Sequence, residues 1–108
     1  MKIPQEGCLL RVFLGESDQC DSRPLYESIV LKAREMHLAG STVLRAVMGY
    51  GASSRLHTAK LLRLSEDMPI IVEIVDSREN VERILPFIDE HMEHGLVTME
   101  RAEVIWYR

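Results

Sequence analysis

Over residues 36–65 the chain runs thirty positions without an Asp or Glu, although the whole sequence carries seventeen of them. The same stretch holds Arg45, Arg55, Lys60 and Arg63, so the net charge of −4 divides into +4 inside it and −8 outside. A basic island in an acidic chain makes the surface field strongly uneven and attracts small anions. Its middle reads Gly49-Tyr50-Gly51-Ala52-Ser53-Ser54-Arg55-Leu56-His57-Thr58-Ala59-Lys60. Glycines let a backbone approach a ligand closely, while arginine, lysine and histidine offer charged donors to anionic oxygens. Gly49, Gly51, Arg55, His57, Lys60 and Arg63 are therefore the candidate anion site. A plainer reading stands beside this one. Gly-x-Gly also shapes bulges and turns at strand ends, and Leu56, Ala59, Leu62 and Leu64 fit a short helix whose basic residues face water.

Other chemistry has less support. His91 and His94, three apart near the end of a predicted helix, could place two metal ligands on one face, but imidazoles there also suit the helix dipole. No metal site is assigned. Cys8 and Cys20 have neither CxxC spacing nor an evident base, and both are expected to be free thiols. The carboxylates form no pair in an apolar context that would mark a general acid and base. No catalytic residue is named, and nothing in the sequence demands an enzyme.

The elements that must position the basic segment follow from periodicity. At 108 residues, with 46% hydrophobic and 28% charged content, the chain has room for one globular domain, residues 1–108. No apolar run has the length of a membrane span and the first six residues lack a signal-peptide core, so a cytoplasmic protein is expected. With few aromatics and an acidic balance it is not expected to bind nucleic acid. Residues 7–15 (GCLLRVFLG) read as a strand, 16–22 as a loop, and 23–39 as an amphipathic helix with Pro24 near its start and Gly40 past its end. Residues 41–50 and 69–75 read as the second and third strands. Asp76 and Glu79 have capping-box spacing before a second helix that reaches Gly95, with a kink expected at Pro86. Residues 96–107 read as a fourth strand with Thr98, Glu100, Ala102, Val104 and Trp106 on one face.

The order β-α-β-β-α-β predicts a ferredoxin-like α+β sandwich, a four-stranded antiparallel sheet with two helices on one face. The strands are apolar on both faces, since Leu10, Val12 and Leu14 alternate with Leu9 and Phe13, and Ile70, Val72 and Ile74 with Ile71 and Val75. An uncovered second face would cost about 25 cal/mol per Å² of apolar surface left in water, which predicts a homo-oligomer.

With that topology, the segments Ala39-Gly40-Ser41-Thr42-Val43, Met48-Gly49-Tyr50-Gly51-Ala52-Ser53-Ser54-Arg55-Leu56-His57-Thr58 and Leu64-Ser65-Glu66-Asp67-Met68-Pro69 resemble a bacterial and archaeal family of PII-like proteins. The resemblance runs through nearly the whole chain. It implies a trimer with sheets facing the centre and helices outside. It also implies adenine-nucleotide binding in clefts between subunits, and regulation of a partner such as a membrane transporter or channel through the segment after the second strand. The Gly-Phe-Gly of PII proteins matches Gly49-Tyr50-Gly51. The strand carboxylate and aliphatic that face adenine fall on Glu73 and Val75, and the lysine of the Gly-Asp-Gly-Lys phosphate turn falls on Arg101. Thr98-Met99-Glu100-Arg101 lacks both glycines of that turn, which favours AMP or ADP over a triphosphate. Nucleotide binding is expected to order residues 52–63. No tyrosine follows Tyr50 in the basic segment, so tyrosine modification of the kind seen in some PII proteins is not expected. The CutA family, trimeric divalent-metal-binding proteins of the same topology, is the alternative, resting on His91, His94 and the thiols.

Overall fold

The computed structural model describes residues 6–50, the backbone of 57–58, and residues 68–108. Its elements are β1 (Glu6–Gly15), β2 (Gln19–Cys20), β3 (Arg23–Pro24), α1 (Leu25–Glu35), β4 (Ser41–Arg45), β5 (Met48–Gly49), β6 (His57–Thr58), β7 (Pro69–Asp76), α2 (Arg78–Glu82), α3 (Leu85–His91) and β8 (Leu96–Glu103). The four long strands form one antiparallel sheet in the order β4-β7-β1-β8. β7 therefore lies between β1 and β4, which α1 connects, and β1 lies between β7 and β8. This is the ferredoxin-like sandwich expected from the element order.

Alternation along the central strands divides the sheet. Leu10, Val12 and Leu14 of β1 and Ile70, Val72 and Ile74 of β7 pack with Leu25, Ile29 and Ala33 of α1, and with Val81, Ile84 and Ile88 of the second helical region. The other set, Leu9, Phe13, Ile71 and Val75, is only half-buried. Among the described residues no helix is long and apolar enough to cross a membrane.

Several boundaries differ from the periodic reading, each for a local reason. α1 starts at Leu25 because Arg23 and Pro24, at the start of the expected helix, pair with Cys20 and Gln19 of the expected loop in a small hairpin. It stops at Glu35, and His37 turns the chain through the left-handed region at φ 61°. The second helix is two helices. Proline cannot donate a helical hydrogen bond, and with Pro86 in the first turn of α3 the break falls at Arg83 and Ile84, a full interruption in place of the expected kink. The expected capping box is replaced by Ser77, whose hydroxyl accepts from the Asn80 amide at 3.2 Å. Asp76 instead ends β7, fully buried, and accepts from the Ala39 amide at 2.8 Å, the Ser77 amide at 2.6 Å and Asn80 Nδ2 at 3.1 Å. Those three bonds compensate its burial and tie the turn before β4 to the end of β7. The second strand stops at Arg45 and resumes as β5, and the fourth stops at Glu103.

Candidate functional site

The basic segment leaves the sheet from its edge. Beyond β4 the Ala46 amide still donates to the Pro69 carbonyl at 2.9 Å, and the chain then enters β5. β5 pairs with β6, placing Met48 opposite Thr58 and Gly49 opposite His57. The segment thus returns on itself within a hairpin, and Gly49 and His57, eight positions apart, become neighbours across a ladder. A Cβ on Gly49 would lie 3.2 Å from Pro69 Cγ, so tight packing on the start of β7 is a structural reason for glycine there. Val47, Met48 and Tyr50 around it are strongly exposed. Gly51, Arg55, Lys60 and Arg63 lie outside the described residues, as does the side chain of His57. Arg45, the described cation of the island, forms an ion pair with Glu16 at the end of β1.

Glu73 lies elsewhere. It sits on the central strand β7, opposite both Arg11 of β1 and Thr42 of β4. Arg11 donates from Nε to Glu73 Oε2 at 2.9 Å and from its Nη1 to Glu100 Oε1 at 3.0 Å. The hydrogen bond to Glu73 is the chief reason the Arg11 guanidinium titrates above its ordinary range. This charged cluster lies on the uncovered face, beside the row Leu44, Ile71, Phe13 and Leu96 that the register aligns across all four strands. Four residues of β7 separate Pro69, against which Gly49 packs, from Glu73, about 13 Å along the strand. Arg101 is on β8, at the opposite edge of the sheet from β4, where it pairs with Glu6. Residues 98–101 are extended strand interior, whereas the turn before β8 ends at Gly95, with φ 127°. Within one chain Gly49, Glu73 and Arg101 therefore do not converge.

His91 and His94 do not act as a pair. The His91 ring stacks on Phe87 at 4.4 Å and Nδ1 lies 2.9 Å from the Phe87 carbonyl, while His94 is exposed beyond the helix. Both cysteines are buried free thiols, and burial pushes the Cys8 thiol above its ordinary range. Sequence reasoning overlooked the partnership of Arg11 with Glu73. Its available signal was that each is the lone charge in an otherwise apolar run, residues 7–15 and 69–75.

Comparison with known proteins places this geometry in context. A model of the DUF190 family, Uncharacterized ACR, matches residues 7–104. A UPF0166 protein of Aquifex aeolicus (strain VF5) is 38% identical over 98 residues, 91% of this chain and 92% of that one. A UPF0166 protein of Methanocaldococcus jannaschii is 30% identical over 97 residues, 89% of each chain. Among solved structures, CPII, a nitrogen regulatory PII-like protein from Thiomonas intermedia K12 bound to ADP, AMP and bicarbonate, has a TM-score of 0.66 at 19% identity, over 92% of this chain and 88% of that one. At that identity the likeness is one of fold. The same protein bound to ADP and bicarbonate has a TM-score of 0.62.

Proposed function

Since the chain belongs to the DUF190 family and has the PII-like fold, we propose that it is a cytoplasmic regulatory protein that binds a small adenine nucleotide, AMP or ADP, in clefts between the subunits of a homotrimer. The observation that carries this reading is the placement of a glycine-flanked, acid-free segment at the sheet edge of a fold shared with CPII, which was solved with ADP and AMP bound. Gly49 and Gly51 would supply close backbone approach. Arg55, Lys60 and Arg63 would hold phosphate, and His57 would add a donor. With Arg45 already paired to Glu16, those three carry the island's remaining charge. Glu73 would serve base or ribose with the oxygen that does not face Arg11, and Arg101 would contribute from the neighbouring subunit's edge. Such a site is completed only by assembly, because one chain keeps these residues on separate strands. Nucleotide state would then be reported through the surface of the basic segment to a partner such as a membrane transporter or channel.

Isothermal titration of the nucleotide-stripped protein with AMP, ADP, ATP and cyclic AMP, with its mass determined on the same sample, tests this. One saturable site per subunit is expected, with AMP or ADP preferred over ATP. Arg55→Ala or Lys60→Ala should each weaken binding about tenfold, the value of one charge-assisted contact, at unchanged mass. Unchanged affinity in both variants would remove the site assignment, and absence of binding by all four nucleotides would remove the nucleotide reading while leaving the fold intact.

A further inference from the structure

On the helical side of the sheet, we propose that Cys20, Asp21 and His91 bind a thiophilic divalent cation, with zinc as the fitting ion. Cys20 and Asp21 are adjacent and His91 comes from a distant part of the chain, yet a cysteine sulfur, a carboxylate oxygen and an imidazole nitrogen all lie within 4.8 Å of one another. In a tetrahedral zinc site, with bonds of about 2.0 to 2.3 Å, ligand atoms stand roughly 3.5 Å apart, so closure needs about 1 Å of side-chain movement. One sulfur, one nitrogen and one oxygen ligand with an open fourth position is a donor set for zinc, and the thiolate discriminates against magnesium and calcium.

Two independent features prepare the site. His91 Nδ1 lies 2.9 Å from the Phe87 carbonyl, which can only accept, so Nδ1 carries the proton and the lone pair belongs to Nε2. That outer contact is the kind that orients a metal-binding imidazole, and the stacked Phe87 ring restrains the plane further. The second feature is the two-residue turn of the β2–β3 hairpin. Cys20 pairs with Arg23, and Asp21 and Ser22 take φ values of 50° and 71°, left-handed backbone at two successive residues that carry side chains. This conformation matches the primed hairpin turn and fixes the carboxylate immediately beyond Cys20. The site opens into a cleft of about 380 Å³ between this hairpin, α1 and α3, wide enough to admit a hydrated ion. Arg23 and Lys32 also line the cleft, but each has a carboxylate partner, Glu27 at 3.9 Å and Glu35 at 3.6 Å, which reduces their opposition to a cation.

The test is titration of the metal-free full chain with Co²⁺ and then Zn²⁺, with no nucleotide present. One equivalent of Co²⁺ per chain should develop a thiolate-to-cobalt charge-transfer band that Zn²⁺ bleaches. Cys20→Ser should abolish the band and, like His91→Gln, weaken zinc binding about 100-fold or more, whereas Cys8→Ala should retain the band. Because Cys20 belongs to the core, Asp21→Asn provides a variant on an exposed turn where asparagine also accepts left-handed backbone, and it should bind zinc about tenfold more weakly with circular dichroism unchanged. Absence of the band, its survival in Cys20→Ser, or unchanged zinc affinity in both His91→Gln and Asp21→Asn would overturn the proposal.

Discussion

The two faces of the central sheet are made from alternate residues of the same strands, yet the described residues cover only one. Beneath the helices Leu10, Val12, Val72 and Ile74 are wholly buried. On the opposite face Leu9, Phe13, Ile71 and Val75 are half-buried by their neighbours in the sheet, and Leu44 and Leu96 at its two edges are 43% and 56% exposed. The faces also differ in charge. The covered side of β1 and β7 buries one carboxylate, Asp76, held at the strand end by three hydrogen bonds, whereas the open side carries Arg11 bridging Glu73 and Glu100 among its aliphatic rows. Apolar rows supply attraction without direction, and a charged cluster among them penalises any covering surface that cannot match it. The contrast teaches that one face specifies how this chain folds, while the other leaves apolar rows and a charged cluster on the surface that the proposed homo-oligomer would cover.

Substitutions can separate those roles. The largest effect on the chain itself is expected from Leu10→Ala, which removes a fully buried side chain facing the helices and should cost about 3 kcal/mol in urea unfolding. A cost below about 1 kcal/mol would mean that the helical face is not the principal core. Phe13→Asp, one pleat away on the open face, should leave the monomer folded by circular dichroism but shift the mass measured by light scattering toward that of a single chain. Retention of the wild-type mass would break the comparison, because a carboxylate could not sit inside a dry interface. Arg11→Met gives the smallest change in the isolated chain, since its ion pairs are partly solvated. In the proposed homo-oligomer it would strand two carboxylates on a covered face, so its effect on association should exceed its effect on chain stability. Equal effects on both would place the Arg11 cluster outside the interface.

Much of the architecture was legible because its signals are local. A period of two along residues 7–15 and 69–75, a helical period after Pro24, and the loss of a donor at Pro86 each depend on residues within a few positions of one another. They were enough for the element order and hence the sandwich. The acid-free window was also legible, since composition survives any fold, and it pointed to residues 49–63 before any geometry was known. Boundaries were less accurate where a neighbouring segment competed. Arg23 and Pro24 went to a hairpin with Gln19 and Cys20, and Asp76 gave up the cap to Ser77 because burial beneath the turn at Ala39 offered it more hydrogen bonds.

By itself the sequence determined the alternation of elements, the two-sided apolar character of the strands and the location of the basic island. The tertiary structure alone decided that Arg11 faces Glu73, 62 positions away, that Arg101 lies on the edge strand opposite β4, the strand from which the chain runs on to Gly49, and that His91 meets Cys20 and Asp21 and not His94. The physical reason is the range of the forces that set each feature. Backbone propensity and periodic burial act between near neighbours and leave a trace in adjacent letters, whereas which strands lie side by side, and which side chains then touch, is settled only when distant segments close over a shared core.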